Sequence, residues 1–246
     1  MAHEQTLSSF LHYLAHCAPS DEMPQLPSLN ELSDKLGMSI SVLREQVEVA
    51  KALGLVEVRP RTGIRRLSFS FSPAVLQSLE YSLELSQDNF RAYADLRNRL
   101  EASYWEEAVR LLTPNDHAML GGFVSRAWQK LRGTPVQIPH EEHRQFHLGI
   151  YHRLDNPYVL GILESYWIAY EAVGLSLYTE YNYLRQVWEY HQKMLDAICS
   201  GDIQAGYKAL VTHRDLLFHR PDGAVVESTG VNAGHFPQNR SPKDQG

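Results

Sequence analysis

Four histidines stand where imidazole chemistry is possible: His143 and His147 in HRQFH, His191 in WEYHQKM and His213 in ALVTHRD. His143 and His147 lie at i and i+4, so on a helix they share a face. His191 shares its face with Met194, Leu195 and Ile198, and His213 with Leu210, Leu216 and Leu217. All four therefore point toward packed sides rather than open water. Imidazoles suit zinc, nickel, copper or iron, and a helix bundle can assemble such a site from facing helices. A lone histidine on an apolar face is more often a packed core residue than a ligand, and spacing alone does not bring three helices together. Glu142 points about 100° away from His143 around the helix and is a poor further ligand. With an open coordination position the cluster could activate water as catalytic zinc does, yet no obvious general base accompanies it.

A second set of residues suits a polyanion. Between Pro27 and Leu67 basic residues outnumber acidic ones seven to five, in a chain whose net charge is −6. Arg59, Arg61, Arg65 and Arg66 crowd one turn, where they can reach phosphates or a narrow minor groove. Ser39, Ser41 and Arg44 lie at the start of a helix, with hydroxyls for phosphates and a guanidinium for guanine edges. The alternative is a solvated helical hairpin whose arginines only aid solubility.

These residues need elements to position them. A chain of 246 residues can hold one large domain or two smaller ones with cores of their own, and two are favoured. Its charge balance excludes a uniformly basic nucleic-acid coat. Cys17 and Cys199, far apart and in no metal or redox spacing, fit a reducing, cytoplasmic location. No stretch approaches the roughly 20 apolar residues of a membrane span, and the N-terminus has no secretory leader pattern.

Leu7, Phe10, Leu11 and Leu14 predict a short helix within 5–16, which the prolines of APSDEMPQLPS break. Ser28 stands three residues before Glu31, the reciprocal capping pair, and Gly37 sits where a two-turn helix ends. After a tight turn, Val42, Leu43, Val47, Ala50 and Leu53 mark a second helix closed by Gly54. Val56 and Val58, then Ile64, Leu67 and Phe69, alternate around RPRTG and read as a hairpin turning near Gly63. Two helices and a hairpin make a winged helix-turn-helix over 1–71. From Ser72 to about Arg220 the pattern is helical, broken at LTPND, LRGTPVQIPH, LDNPY and SGD, and predicts six or seven helices in a second, all-α domain over 72–222. The aromatic run ESYWIAYEAVGLSLYTEYNYL could line a ligand pocket but is more often core or a dimer face. Residues 223–246 read as a disordered tail. The fold class is mainly α: a winged helix-turn-helix with a small β-hairpin, then a helical bundle.

LPSLNELSDKLGMSISVLREQVEVAKALGLVEVRPRTG resembles the winged helix of GntR-family transcription regulators, in its Leu-Pro opening, the Glu-Leu of the first helix, the Arg-Glu of the second and the wing glycine. DLRNRLEASYWEEAVRLL, HRQFHLGIYHRLDNPYV and HQKMLDAICSGDIQAGYKALVTH are similar to the ligand-sensing helical domain of the family's FadR subfamily, of the FCD type, over about residues 75–220. The resemblance implies that Asn30, Ser39, Ser41, Arg44 and Gly63 contact DNA. Ile40 stands where the family usually has a basic residue, which shifts weight onto Arg59, Arg61 and Arg65. In metal-binding members an Asp precedes the first histidine by four residues and two later histidines stand about 22 apart. His147, His191 and His213 match, and His143 occupies the Asp position. Loss of that anionic ligand lowers affinity for hard cations. Arg97, in LRNRLE, matches an arginine near the effector pocket, unless it only makes a surface ion pair with Glu101 four residues on.

The expectation is a homodimeric, ligand-responsive regulator, not an enzyme. It would bind a short inverted repeat of double-stranded DNA, hold zinc or nickel at the four histidines, and respond to a small organic acid. The alternatives are a metal-dependent hydrolase-like enzyme and an effector-independent DNA-binding protein.

Overall fold

The computed structural model describes residues 7–16, 25–173 and 181–218, with side chains described as far as His213. The predicted tail over 223–246 and Cys17 lie outside the described residues. Helices α1 (Ser9–His16), α2 (Leu29–Leu36) and α3 (Ile40–Ala52) precede strands β1 (Val56–Arg59) and β2 (Gly63–Arg66). Seven helices follow: α4 (Ser72–Leu85), α5 (Asn89–Leu111), α6 (Pro114–Leu131), α7 (His140–Tyr151), α8 (Pro157–Ala172), α9 (Tyr181–Ser200) and α10 (Ile203–Phe218). Among the described residues none of these helices is long and apolar enough to cross a membrane.

Local chemistry starts and stops the first helices as anticipated. The Ser28 hydroxyl accepts from the Glu31 amide while the Glu31 carboxylate accepts from the Ser28 amide at 2.8 Å, and Gly37 ends α2 at φ 65°. Ser39 caps α3 by accepting from the Val42 amide. The strands pair antiparallel, Val56 with Arg66 and Arg59 with Gly63, around Pro60-Arg61-Thr62. Arg61 and Gly63 both take positive φ, 68° and 84°, which suits Gly63 and strains Arg61. Strand β2 ends at Arg66 rather than running on to Phe69, whose ring instead meets Tyr158 of α8 edge-on at 6.0 Å. Phe10, Leu14, Leu26, Leu32, Leu43, Val47, Val56 and Ile64 form the core of this unit.

The remaining helices bury Trp105, Leu120, Val124, Phe146, Ile150, Tyr151, Leu163, Trp188 and Met194 in a larger core. A break not anticipated from sequence separates α4 from α5. No glycine or proline marks it; Ser86 takes an extended conformation, its hydroxyl accepts from the Asp88 amide, and the Asn89 side chain donates to the Ser82 carbonyl at 2.9 Å. Short polar side chains there compete with the helix for backbone groups.

Helix α8 ties the two units. Gly161 lies so close to the stretch leading into α4 that a Cβ there would stand 2.7 Å from both the Phe71 Cβ and the Ser72 nitrogen. Its other flank docks on α5, where the Tyr93 hydroxyl meets Ser165 Oγ at 2.6 Å and donates to the Ile162 carbonyl at 3.1 Å.

Candidate metal centre and nucleic-acid interface

Helix α5 supplies Arg97 and Glu101, α7 supplies His143 and His147, α9 supplies His191 and α10 supplies His213. The four imidazoles each offer a ring nitrogen, and these atoms all lie within 4.8 Å of one another. Three contacts hold the helices in place. The Tyr151 hydroxyl donates to the Glu101 carbonyl at 2.9 Å, joining α7 to α5. Lys130 of α6 donates to the buried Glu142 carboxylate at 2.7 Å, which turns that acid away from the histidines. The Trp105 indole donates to the Ile203 carbonyl at 3.0 Å and seats the start of α10 on α5.

Burial dominates the electrostatics. His147, His191 and His213 are at most 1% exposed, and His143 is half-buried against Trp167, ring centroids 4.7 Å apart. Burial, with the neighbouring rings and the Arg97 charge, holds His143, His147 and His213 well below the ordinary imidazole range, and burial above all pushes His191 down to about 3. All four are neutral at physiological pH and keep a lone pair available.

Hydrogen bonding shows where those lone pairs point. His191 Nδ1 lies 2.8 Å from the Val187 carbonyl, so it carries the proton and Nε2 carries the lone pair. His147 Nδ1 lies 3.2 Å from Glu101 Oε1 but not in hydrogen-bonding alignment, so its tautomer is set by what meets Nε2. The two Nε2 atoms face each other at 3.1 Å. Without an ion, His147 donates an Nε2 proton to the His191 lone pair; with an ion between them, both lone pairs can point at it. Two nitrogens bound to one ion at about 2.1 Å would stand roughly 3.0–3.4 Å apart. His143 Nε2 and both nitrogens of His213 are buried without a hydrogen-bond partner, a cost of roughly 1–3 kcal/mol each, which an ion would remove at one nitrogen of each ring. The residues therefore fit a transition metal. The widest pair would close by about an ångström to reach tetrahedral spacing.

Arg97 lies beside the cluster and not in the surface ion pair that the alternative reading gave it. It pairs with Glu101, Nη2 to Oε1 at 2.7 Å, yet both side chains are only 2% exposed, so this is a buried pair and not a surface one. Its Nη1 donates to Asn98 Oδ1 at 3.1 Å and its guanidinium lies over Tyr166 and Trp167, 4.8 and 5.2 Å from the ring centroids. Burial pushes the Glu101 carboxyl up to about 7 while Arg97 pulls it down. The sequence reading missed Glu101 as a neighbour of His147; its signal was the i+4 spacing from Arg97.

An acid response follows. Unfolded histidines take up protons near pH 6.5, while these four resist until far lower pH, so stability is lost as pH falls from 6.5 toward about 3. Glu101 opposes this, since its raised value makes the folded state take up its proton first between about 7 and 4.5. Four groups outweigh one. The chelated protein is expected to show a melting temperature that drops steadily below pH 6.5; a flat profile to pH 4.5 would mean the rings are solvated.

On the winged unit Asn30, Ser41 and Arg44 are exposed on α2 and α3, and Ser39 is exposed at the cap of α3. Arg59 and Arg61 are exposed on the hairpin, where Arg59 Nε lies 2.9 Å from the Glu57 carboxylate. Arg65 is half-buried beside the bridge that Gln25 makes to β2, and the Gln25 side chain donates to the Thr62 carbonyl at the wing turn.

Residues 93–216 match the FCD domain family. The Bacillus subtilis (strain 168) uncharacterized HTH-type transcriptional regulator YcbG is 24% identical over 189 residues, covering 77% of each chain. The solved Streptococcus agalactiae GntR structure is similar in fold, with a TM-score of 0.60 and 21% identity, over 85% of this chain and 94% of that one.

Proposed function

The chain belongs to the GntR family of transcription regulators and carries an FCD domain, and from that premise we propose that residues 1–71 bind operator DNA while residues 72–222 sense a ligand. Such a protein is a regulator and not an enzyme. It acts in the cytoplasm as a homodimeric repressor, because a two-fold protein reads a short inverted repeat with two equivalent wings. His143, His147, His191 and His213 hold one divalent transition metal, zinc or nickel by their all-nitrogen chemistry. The observation that carries this reading is a set of four imidazoles, three of them buried and His143 half-buried, with ligating atoms within 4.8 Å of one another. A small organic acid is the effector to which Arg97 would be matched, and it would share that guanidinium with Glu101. The test is selection of bound duplexes from random DNA by the purified protein, with metal content measured on the same sample. Failure to enrich any inverted repeat would remove the operator reading.

Arg44 of α3 reads base edges in this proposal, and Arg61 at the wing tip meets phosphate. Arg44→Ala is expected to cost roughly 1–3 kcal/mol on the selected operator and to relax its sequence preference. Arg61→Ala should weaken all duplexes about equally and flatten the salt dependence. Unchanged operator affinity in Arg44→Ala, by fluorescence anisotropy, would remove the docking.

A further inference from the structure

We propose that the metal ion is itself the signal this protein reads, with copper(II), nickel, zinc or cobalt favoured over manganese, magnesium and calcium. The inference rests on assigning an ion to the four-histidine cluster. It replaces the organic acid with the ion as the ligand that alters DNA binding.

Coordination number comes first. For zinc, four protein donors complete a tetrahedral shell, the arrangement of closed sites, whereas zinc sites that take a further ligand keep a position open with three; nickel and copper(II) would fill any remaining position with water. Space comes second. The cavity bordered by Arg97, Asn98, Glu101, Ala102, Leu210 and Val211 measures about 10 Å³, room for no more than a water molecule. Charge comes third. Arg97, the buried cation beside the cluster among the described residues, is already paired with Glu101 at 2.7 Å and bonded to Asn98, so an incoming carboxylate meets a charge that is already balanced, although Nε makes no hydrogen bond. The donor set comes fourth: four imidazole nitrogens and no carboxylate prefer azaphilic ions to oxygen-seeking ones.

A path to the DNA-binding unit is built into α8. Trp167 packs on His143 and His147, ring centroids at 4.7 and 5.5 Å. On the same helix Gly161 and Tyr158 press on Phe71 and Ser72, where the chain from the hairpin enters α4, with the Phe71 and Tyr158 rings 5.2 Å apart. His147 and His191 already stand at ligand spacing, so closing the widest pair by about an ångström onto an ion would move the outlying rings of the cluster; a shift of His143 would be felt by Trp167, and a rigid helix would pass that displacement to the joint below the wing.

The experiment uses the full-length protein. Duplexes are selected from random DNA twice, with chelator and with zinc, so that a protein binding DNA in only one state still yields an operator. DNA affinity is then read by anisotropy with chelator, zinc, nickel, manganese and, separately, citrate as the organic-acid probe. Ion binding is followed in parallel by elemental analysis and by quenching of tryptophan fluorescence with nickel and copper(II), since Trp167 and Trp188 adjoin the cluster. The expected result is a change in DNA affinity of roughly 5- to 100-fold with zinc or nickel, none with manganese, and none with citrate alone. His143→Asp, which adds a carboxylate donor, should narrow the zinc-to-manganese affinity ratio by about tenfold or more. Ion binding with unchanged DNA affinity, or a change that needs citrate, overturns this inference and leaves the metal centre standing. An unchanged ratio in His143→Asp overturns the selectivity. Retention of no ion overturns the centre and the inference together.

Discussion

Replacing His191 or His213 with alanine is expected to strip the transition metal from the protein. Each is fully buried, each supplies one of four donors, and no carboxylate among the described residues stands in the donor set to replace it. Loss of an outer-shell partner alone costs roughly 10- to 100-fold in metal affinity, and loss of a direct ligand should exceed that. His143→Ala should do less harm, because His143 is the half-buried member and water can take its place. Elemental analysis after dialysis, with competition titration against a chromogenic chelator, measures the series, and circular dichroism confirms that each variant is folded. If wild-type protein purified without chelator and offered zinc, nickel and manganese holds none at micromolar concentration, the four rings are packing residues.

The second large effect is expected at Arg97. Removing one partner of a buried ion pair leaves the other charge without compensation, which costs roughly 3–5 kcal/mol. Arg97→Met leaves Glu101 in that state, and for a chain of this size each kcal/mol lowers the melting temperature by about 2–4 °C. The loss should therefore reach about 6–20 °C at pH 8, where the buried carboxyl must either stay charged without its partner or take a proton from an alkaline solution, and should shrink at pH 5.5, where burial lets it take that proton readily. Arg97→Met with Glu101→Gln should recover much of the loss, because no buried charge remains. A single variant that melts like wild type would show that Glu101 finds another partner or water.

Much of this architecture was written locally and could be read without coordinates. Ser28 and Glu31 cap each other across three residues, Gly37 and Gly54 end their helices with positive φ, and period-two apolar residues mark a hairpin whose turn reaches Gly63. Each feature depends on neighbours within about one turn, so residue types suffice. The faces of the histidines were legible for the same reason: helical periodicity aligns His191 with Met194 and Ile198, all now buried.

What lay beyond the sequence was non-local. His147 and His191 are 44 residues apart, and periodicity says only that each faces inward, not that their Nε2 atoms meet at 3.1 Å. Resemblance to the FadR subfamily implied convergence; the packing of α5, α7, α9 and α10 supplies its distances. Arg97 and Glu101 show the limit from the other side. Their i,i+4 spacing is the same on a surface helix and in a core, and only the rings of Tyr166 and Trp167 from α8, laid over the guanidinium, decide that this pair is dry. Spacing along a helix determines which groups can meet. Desolvation, which separates a weak surface pair from a costly buried one and a solvated histidine from a neutral ligand, is set by the elements that pack over them.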